Sequence, residues 1–251
     1  MGKLESRNIE KYFKHDGEPL KTLDGIDLNV EDGELVCIVG PSGCGKSTFL
    51  RITAGLEEPS NGQNFLDGQP LVGTAPDRIM VFQEGALFPW LNVQDNVEYG
   101  LKIAGIPKEE RNEISGRYLD MMQLTQFATS FIHQLSTGMK QRVAIARALV
   151  MEPDVLLMDE PVAALDPQTR ELLLVEMQLI WQKTKKTIVF VTHNVAEAVM
   201  LGTRVLVFTN RPARIKKEFK IDYKRPRTSE DENLLQYQQK ILAELRPDVK
   251  K

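Results

Sequence analysis

The chain has 251 residues, 42% of them hydrophobic and 27% charged, with a formal net charge of −3. That supplies apolar material for one large globular unit and excludes a disordered polyelectrolyte or a low-complexity chain. The longest apolar runs are about five residues, against the roughly 20 that a membrane span requires, so no transmembrane segment is expected.

In chain order, "MGKLESRNIEKYF" lacks the apolar region and cleavage site of a secretory signal, so none is expected. "DGELV" (32–36) carries a hairpin signal, and "LVCIV" (35–39) reads as a strand whose two faces are both covered. "GPSGCGKST" (40–48) follows, opening a helix over 46–54. "NGQNFLDGQPL" (61–71) is a second hairpin signal, so an antiparallel portion should precede and flank the parallel core. "IMVF" (79–82) is the next strand. From about 85 to 150 strand patterns are missing, and the region reads as a mostly helical insertion with helices at 107–123 and 139–151. Strands "VLLM" (155–158), "TIVFVT" (187–192) and "RVLVFT" (204–209) then alternate with helices at 167–184 and 194–201, the order of a parallel sheet. Residues 211–251 carry 12 Lys/Arg against 7 Asp/Glu. The interleaved acids fit a solvated surface rather than a nucleic-acid face. "KRPRTSEDENLLQYQQKILAEL" (224–245) reads as a linker and a helix, with Ser229 and Glu232 spaced as a capping box. The two cysteines, Cys37 and Cys44, make no disulfide framework and point to free thiols in a reducing, cytoplasmic setting.

The chemistry begins at Gly40-x-x-x-x-Gly45-Lys46-Ser47. Between a strand and a helix, this is the full phosphate-binding pattern. The glycines let backbone N–H groups from Gly40, Pro41, Ser42, Gly43, Cys44 and Gly45 onward curl around phosphate oxygens, although Pro41 itself offers no N–H. Lys46 supplies a cation to the β- and γ-phosphates, Ser47 a hydroxyl to Mg²⁺, and Thr48 continues into the helix. "VLLMDE" (155–160) ends a strand with two carboxylates, a costly arrangement unless a cation or a reaction uses them. Asp159 suits the Mg²⁺ shell, and Glu160 suits orienting or deprotonating an attacking water. A nucleoside triphosphate is therefore expected to be bound and hydrolysed.

"LSTGMKQRVAIARAL" (135–149) places a Ser-x-Gly turn at the head of a basic helix, 20 residues before the carboxylates. It cannot serve the phosphate already cradled by Gly40–Thr48, which points to a nucleotide shared between two chains. With these motifs, residues 1 to about 215 resemble the ATPase subunits of ABC transporters. The resemblance implies an α/β fold: a P-loop (RecA-like) parallel core at about 1–84 and 152–223, with an antiparallel β subdomain and a helical subdomain at about 85–151. Residues 1–223 would form the ATPase domain and 224–251 a linker and helix. It further implies that Phe13 stacks on adenine, with Tyr12 the alternative. Gln83 would join Mg²⁺ and water to a membrane partner. Ser136 and Gly138 would form the signature turn, Asp166 the aspartate loop crossing a dimer interface, and His193 the switch contacting the γ-phosphate. Three positions depart from the family pattern: Thr137 in a motif usually reading Leu-Ser-Gly-Gly, Ala163 for serine or glycine, and Asn194 for aspartate. None removes a catalytic group.

The aromatics of "LFPW" (87–90) fit either a core or an exposed docking groove. "LFPWLNVQDNV" and "TNRPARI" (209–215) resemble importer ATPases of the nitrate, sulfonate and taurine group. That resemblance implies ATP and Mg²⁺, a head-to-tail dimer with itself or a paralogous subunit, permease subunits docking near Gln83–Leu91, an extracytoplasmic solute-binding protein, no nucleic acid, and a peripheral place on the cytoplasmic face of the membrane. An exporter or lipid-trafficking ATPase of the same fold stays open, as does a soluble non-transport member.

Overall fold

A computed structural model describes residues 2–249; Met1, Lys250 and Lys251, which the expected domain ranges include, lie outside the described residues. The chain opens with two long strands, β1 (Leu4–His15) and β2 (Glu18–Val30), paired antiparallel about a turn at Asp16-Gly17. β3 (Leu35–Val39) and α1 (Lys46–Thr53) follow, then β4 (Asn61–Leu66), β5 (Gln69–Pro70) and β6 (Arg78–Val81). Helices α2 (Val93–Val97), α3 (Tyr99–Ile103), α4 (Lys108–Met121) and α5 (Thr137–Leu149) fill the stretch before β7 (Val155–Asp159). After it come α6 (Pro167–Thr184), β8 (Thr187–Thr192), α7 (Val195–Leu201), β9 (Arg204–Phe208), β10 (Ile215–Lys220) and α8 (Glu232–Val249).

Two sheets result. One is antiparallel, in the order β2-β1-β4-β5; the other runs β10-β9-β3-β8-β7-β6 and is parallel except for its β10 edge. The run Leu35–Val39 is buried throughout because β3 lies centrally in the second sheet. Leu35, Cys37 and Val39 face a core shared with α2 to α8, whereas Val36 and Ile38 face a second core with α1 and the antiparallel sheet. A strand covered on both faces has no polar side to show, hence its unbroken apolar sequence.

Three expectations are corrected. "DGELV" is not a hairpin: Glu34 N–H closes a turn on Glu31 O at 3.0 Å, and the chain then leaves the antiparallel sheet for the parallel one. A fully apolar strand is worth more between two layers than beside β2. The second signal, "NGQNFLDGQPL", is a hairpin, turning at Asp67-Gly68 between β4 and β5. Ser229 does not cap α8, which begins at Glu232; its N–H and Oγ both donate to Glu171 Oε1, at 3.0 and 2.6 Å. Nor is the basic tail wholly solvated. Arg227 is 2% exposed and donates to the carbonyls of Val199, Gly202 and Ile221 at 2.8, 2.7 and 2.9 Å. Arg225 lies over the Trp181 ring, 4.6 Å from its centroid. Two guanidiniums thus meet the C-terminal carbonyls of α7, the end where a helix presents negative potential. Burial lowers the pKa of both guanidinium groups.

Candidate active site

β3 delivers the chain to Gly40, and α1 starts at Lys46. Gly45 between them has φ 125°, and a Cβ there would stand 2.9 Å from Leu23 Cδ2, so only glycine keeps the loop closed against β2. Lys46 is 4% exposed, and its Nζ folds back to donate to Gly40 O at 2.8 Å and Pro41 O at 2.9 Å. The loop opens onto a cavity of about 1370 Å³. Phe13, Gly40, Pro41, Ser42, Gly43, Gly45, Lys46, Ser47, Thr48, Gln83, Glu160 and His193 all line it. Of the two aromatics expected to meet a base, Tyr12 does not line it. Cys44 turns its thiol into the core and has only its backbone to offer.

The end of β7 meets the loop through one bond: Ser47 Oγ donates to Asp159 Oδ1 at 2.8 Å, across 112 residues of sequence. Burial pushes the Asp159 carboxyl above the usual aspartate range, and the Ser47 bond opposes that shift. Such a carboxylate gains from a cation. At Glu160 the backbone leaves the sheet in a left-handed conformation, φ 46°, with its N–H donating to Val191 O at 2.9 Å. The side chain then stands in the cavity, its Oε2 2.8 Å from His193 Nδ1.

The turn carrying His193 is braced from below. Thr192 Oγ1 donates to buried Glu197 Oε2 at 2.5 Å, and Glu197 Oε1 lies 3.6 Å from Arg170 Nε. Burial raises the Glu197 pKa. Arg170 in turn donates to Leu165 O at 2.7 Å, in the turn before Asp166. Asn194, in the place of the family's aspartate, still caps α7, accepting from Ala196 N–H at 2.9 Å.

Five expected residues do not line the cavity: Cys44 and Asp159, which adjoin it through the loop and through Ser47, and Ser136, Gly138 and Asp166. Ser136 caps α5 by accepting from Met139 N–H at 3.3 Å, and Asp166 caps α6 by accepting from Thr169 N–H at 3.0 Å. That last bond holds the Asp166 carboxyl below its usual range. A Cβ on Gly138 would come within 2.6 Å of Thr169 Cγ2, so this glycine lets α5 approach α6. The cavity also includes residues that sequence reasoning did not assign to it: Leu20, Thr22, Asn194 and Arg211, together with Gln238, Leu242 and Leu245 of α8. Arg211 belongs to "TNRPARI", noted above only as a family likeness; Asn194 was noted as a departure from the family pattern, and the α8 residues as part of a tail helix, none of them with a role at the site.

The donor set fits Mg²⁺. Ser47, Asp159 and Gln83 offer oxygen ligands, which suit a hard cation. Among the described residues no three His, Cys, Asp or Glu side chains cluster as a dedicated metal cage. Mg²⁺ ordinarily takes one or two protein oxygens and completes its shell with water and phosphate.

A smaller groove of about 340 Å³ is lined by Met80, Phe82, Phe88, Tyr99 and Met151 among others. Phe88 packs 4.5 Å from the Tyr99 ring and 5.6 Å from that of Trp90, while Trp90 is 70% exposed. Trp90 thus stands at the surface, whereas Leu87 and Phe88 are half-buried, Leu87 against the main core. No helix among the described residues is long and apolar enough to cross a membrane.

Comparison with known proteins gives the same direction. Residues 23–163 match the ABC transporter family. An uncharacterized ABC transporter ATP-binding protein of Methanocaldococcus jannaschii is 50% identical over 249 residues, 99% of this chain and 93% of that one. A nitrate import ATP-binding protein of Synechocystis is 46% identical over 219 residues, 87% of this chain and 82% of that one. Among solved structures, a dimeric, post-hydrolysis ATP-binding cassette bound to ADP and Pi superposes with a TM-score of 0.76 at 33% identity. It covers 88% of this chain and 100% of that chain.

Proposed function

We propose a specific role for a chain that belongs to the ABC transporter family: it is the ATP-hydrolysing subunit of an importer for a small anion or organic solute of the nitrate, sulfonate or taurine kind. One observation carries the site assignment. The phosphate loop, Asp159 through Ser47, and the Glu160–His193 pair meet at one cavity, while Ser136, Gly138 and Asp166 stay outside it. A site complete on one side and open on the other calls for a second chain, itself or a paralogue, related head to tail.

In this reading Phe13 stacks on adenine and the N–H groups of residues 43–48 receive the phosphates. Lys46 exchanges the carbonyls of Gly40 and Pro41 for β- and γ-phosphate oxygens. Ser47, Asp159 and Gln83 hold Mg²⁺, which when bound neutralises charge on those oxygens. Glu160 accepts the proton of a water whose oxygen bonds to the γ-phosphorus as the bond to ADP breaks. His193, bonded to Glu160 through Nδ1, fixes that carboxylate and faces the γ-phosphate. Ser136 and Gly138 of one chain close the nucleotide held by the other, with Asp166 crossing between them. Residues 1–84 and 152–223 act as the nucleotide-binding core, 85–151 as the helical subdomain, and 224–251 as the linker and helix.

The groove lined by Phe88 and Tyr99, with exposed Trp90 packed on Phe88, receives the membrane permease subunits. The chain then sits on the cytoplasmic face of the membrane, in a system supplied with solute by an extracytoplasmic binding protein. No nucleic acid takes part. Lys46→Ala removes the main cation from the phosphates. Titration with a fluorescent ATP analogue should show no saturable binding; wild-type affinity would overturn the site assignment.

A further inference from the structure

The segment between β9 and β10, residues 209–214, takes part in none of these steps, yet it lies against the phosphate loop. Its backbone meets β2 at a single parallel bridge, Ala213 opposite Leu23. Ala213 N–H donates to Thr22 O at 2.9 Å, and Asp24 N–H donates to Ala213 O at 3.0 Å. Arg214 Nε donates to Asp24 Oδ2 at 2.6 Å, and Arg214 N–H closes the turn on Thr209 Oγ1 at 3.0 Å. The flanking residues already press on the loop's glycines. A Cβ on Gly45 would meet Leu23, and one on Gly40 would stand 3.0 Å from Phe208 Cβ. Residues 22–24 and 208–214 therefore form an outer jacket around residues 40–45.

From that jacket Arg211 reaches inward. Its Nη2 donates to Gly43 O at 2.6 Å, across 168 residues of sequence, and its side chain lines the cavity with Lys46 and Ser47. A trans peptide carries its N–H opposite its C=O. The N–H of that same peptide, on Cys44, donates to Pro41 O at 3.3 Å, so both sides of the Gly43–Cys44 peptide are held. Among the described residues no carboxylate forms an ion pair with Arg211. A guanidinium keeps its charge at any working pH, and an unpaired one at the lip of an anion cavity adds to the field the anion meets.

We infer that Arg211 is a positioning residue of the polyphosphate site: it fixes the Gly43–Cys44 peptide and adds an uncompensated positive charge beside Lys46. The inference rests on the nucleotide reading above. Two variants separate its parts. Arg211→Gln keeps a hydrogen-bond donor without the charge; Arg211→Lys keeps the charge without the planar fork. Each is titrated with a fluorescent ATP analogue at low and high ionic strength. Arg211→Gln should bind about tenfold more weakly at low salt, the scale of one charge-assisted contact. That gap should shrink at about 0.5 M salt, where screening reaches only a few ångströms, and Arg211→Lys should stay within about threefold of wild type. A gap that ignores salt, a lysine variant as weak as the glutamine one, or wild-type binding by Arg211→Gln would each overturn the inference. The two readings fail differently. Normal binding by Lys46→Ala defeats the nucleotide assignment, whereas loss in Lys46→Ala with none in Arg211→Gln defeats only the role of Arg211.

Discussion

Glu160 holds a left-handed backbone conformation that costs a non-glycine residue roughly 1–2 kcal/mol. Such a cost persists where the surroundings impose it, here the bond from its N–H to Val191 O and the contact with His193. The gain is direction: a residue continuing β7 would lie in the sheet, whereas Glu160 faces the cavity. Glu160→Gln keeps the shape and removes the base, so turnover should fall about 10²–10⁴-fold while ATP affinity holds. Steady-state phosphate release and equilibrium titration on one preparation test this, and near wild-type turnover would move the proton acceptor elsewhere. Residues 40–48 were legible in the sequence because every part of the motif is local, and Asp159–Glu160 because a strand ending in two carboxylates is conspicuous. Arg211 was not legible, since no spacing links a residue to a carbonyl 168 positions away.

Among the elements, three expected functional positions, or neighbours of them, are helix N-caps: Ser136 on α5, Asp166 on α6 and Asn194 beside His193 on α7. A cap side chain stands outside its helix at the end carrying positive potential, so the same residue can close a helix and face an anion. For Asp166 the structural half is separable by pH. Its carboxyl titrates below its ordinary value because the ionised form accepts the Thr169 N–H. A depressed pKa contributes stability above the unfolded value, lost as pH falls through the folded one. Asp166→Ala should therefore unfold at lower urea concentration than wild type at pH 7, and the difference should fade as pH drops below about 4. A difference independent of pH would contradict the cap. The core strands β3, β7 and β8 were readable as apolar runs. β1 was not, because register breaks between Ser6 and Ile9 and between Ile9 and Lys11 spoil the alternation of "LESRNIEKYFKH". β10, "IKKEFK", is an edge strand whose charges hide it from a search for apolar runs.

At the scale of the whole molecule, two of the open features matter to the proposed function, the cavity between the phosphate loop and His193 and the aromatic groove at Phe88. Phe88→Ser with Trp90→Ser should release the permease subunits in co-purification while nucleotide titration stays as in wild type; retained permease would contradict the docking role. The open side of the cavity carries the central claim, that each nucleotide is closed by two chains. Gly138 is a poor place to test it, because any side chain there strikes Thr169 within the same chain. Ser136 is exposed, and Ser136→Glu would set a carboxylate against the partner's triphosphate. The decisive measurement is ATP hydrolysis by Lys46→Ala alone, by Ser136→Glu alone, and by their equimolar mixture. Each variant alone should be inactive. In the mixture half the dimers pair unlike chains, with both defects in one site and the other intact, so activity should return to about a quarter of wild type. A mixture as inactive as its parents, or a Ser136→Glu chain that hydrolyses ATP at the wild-type rate, would contradict a shared site.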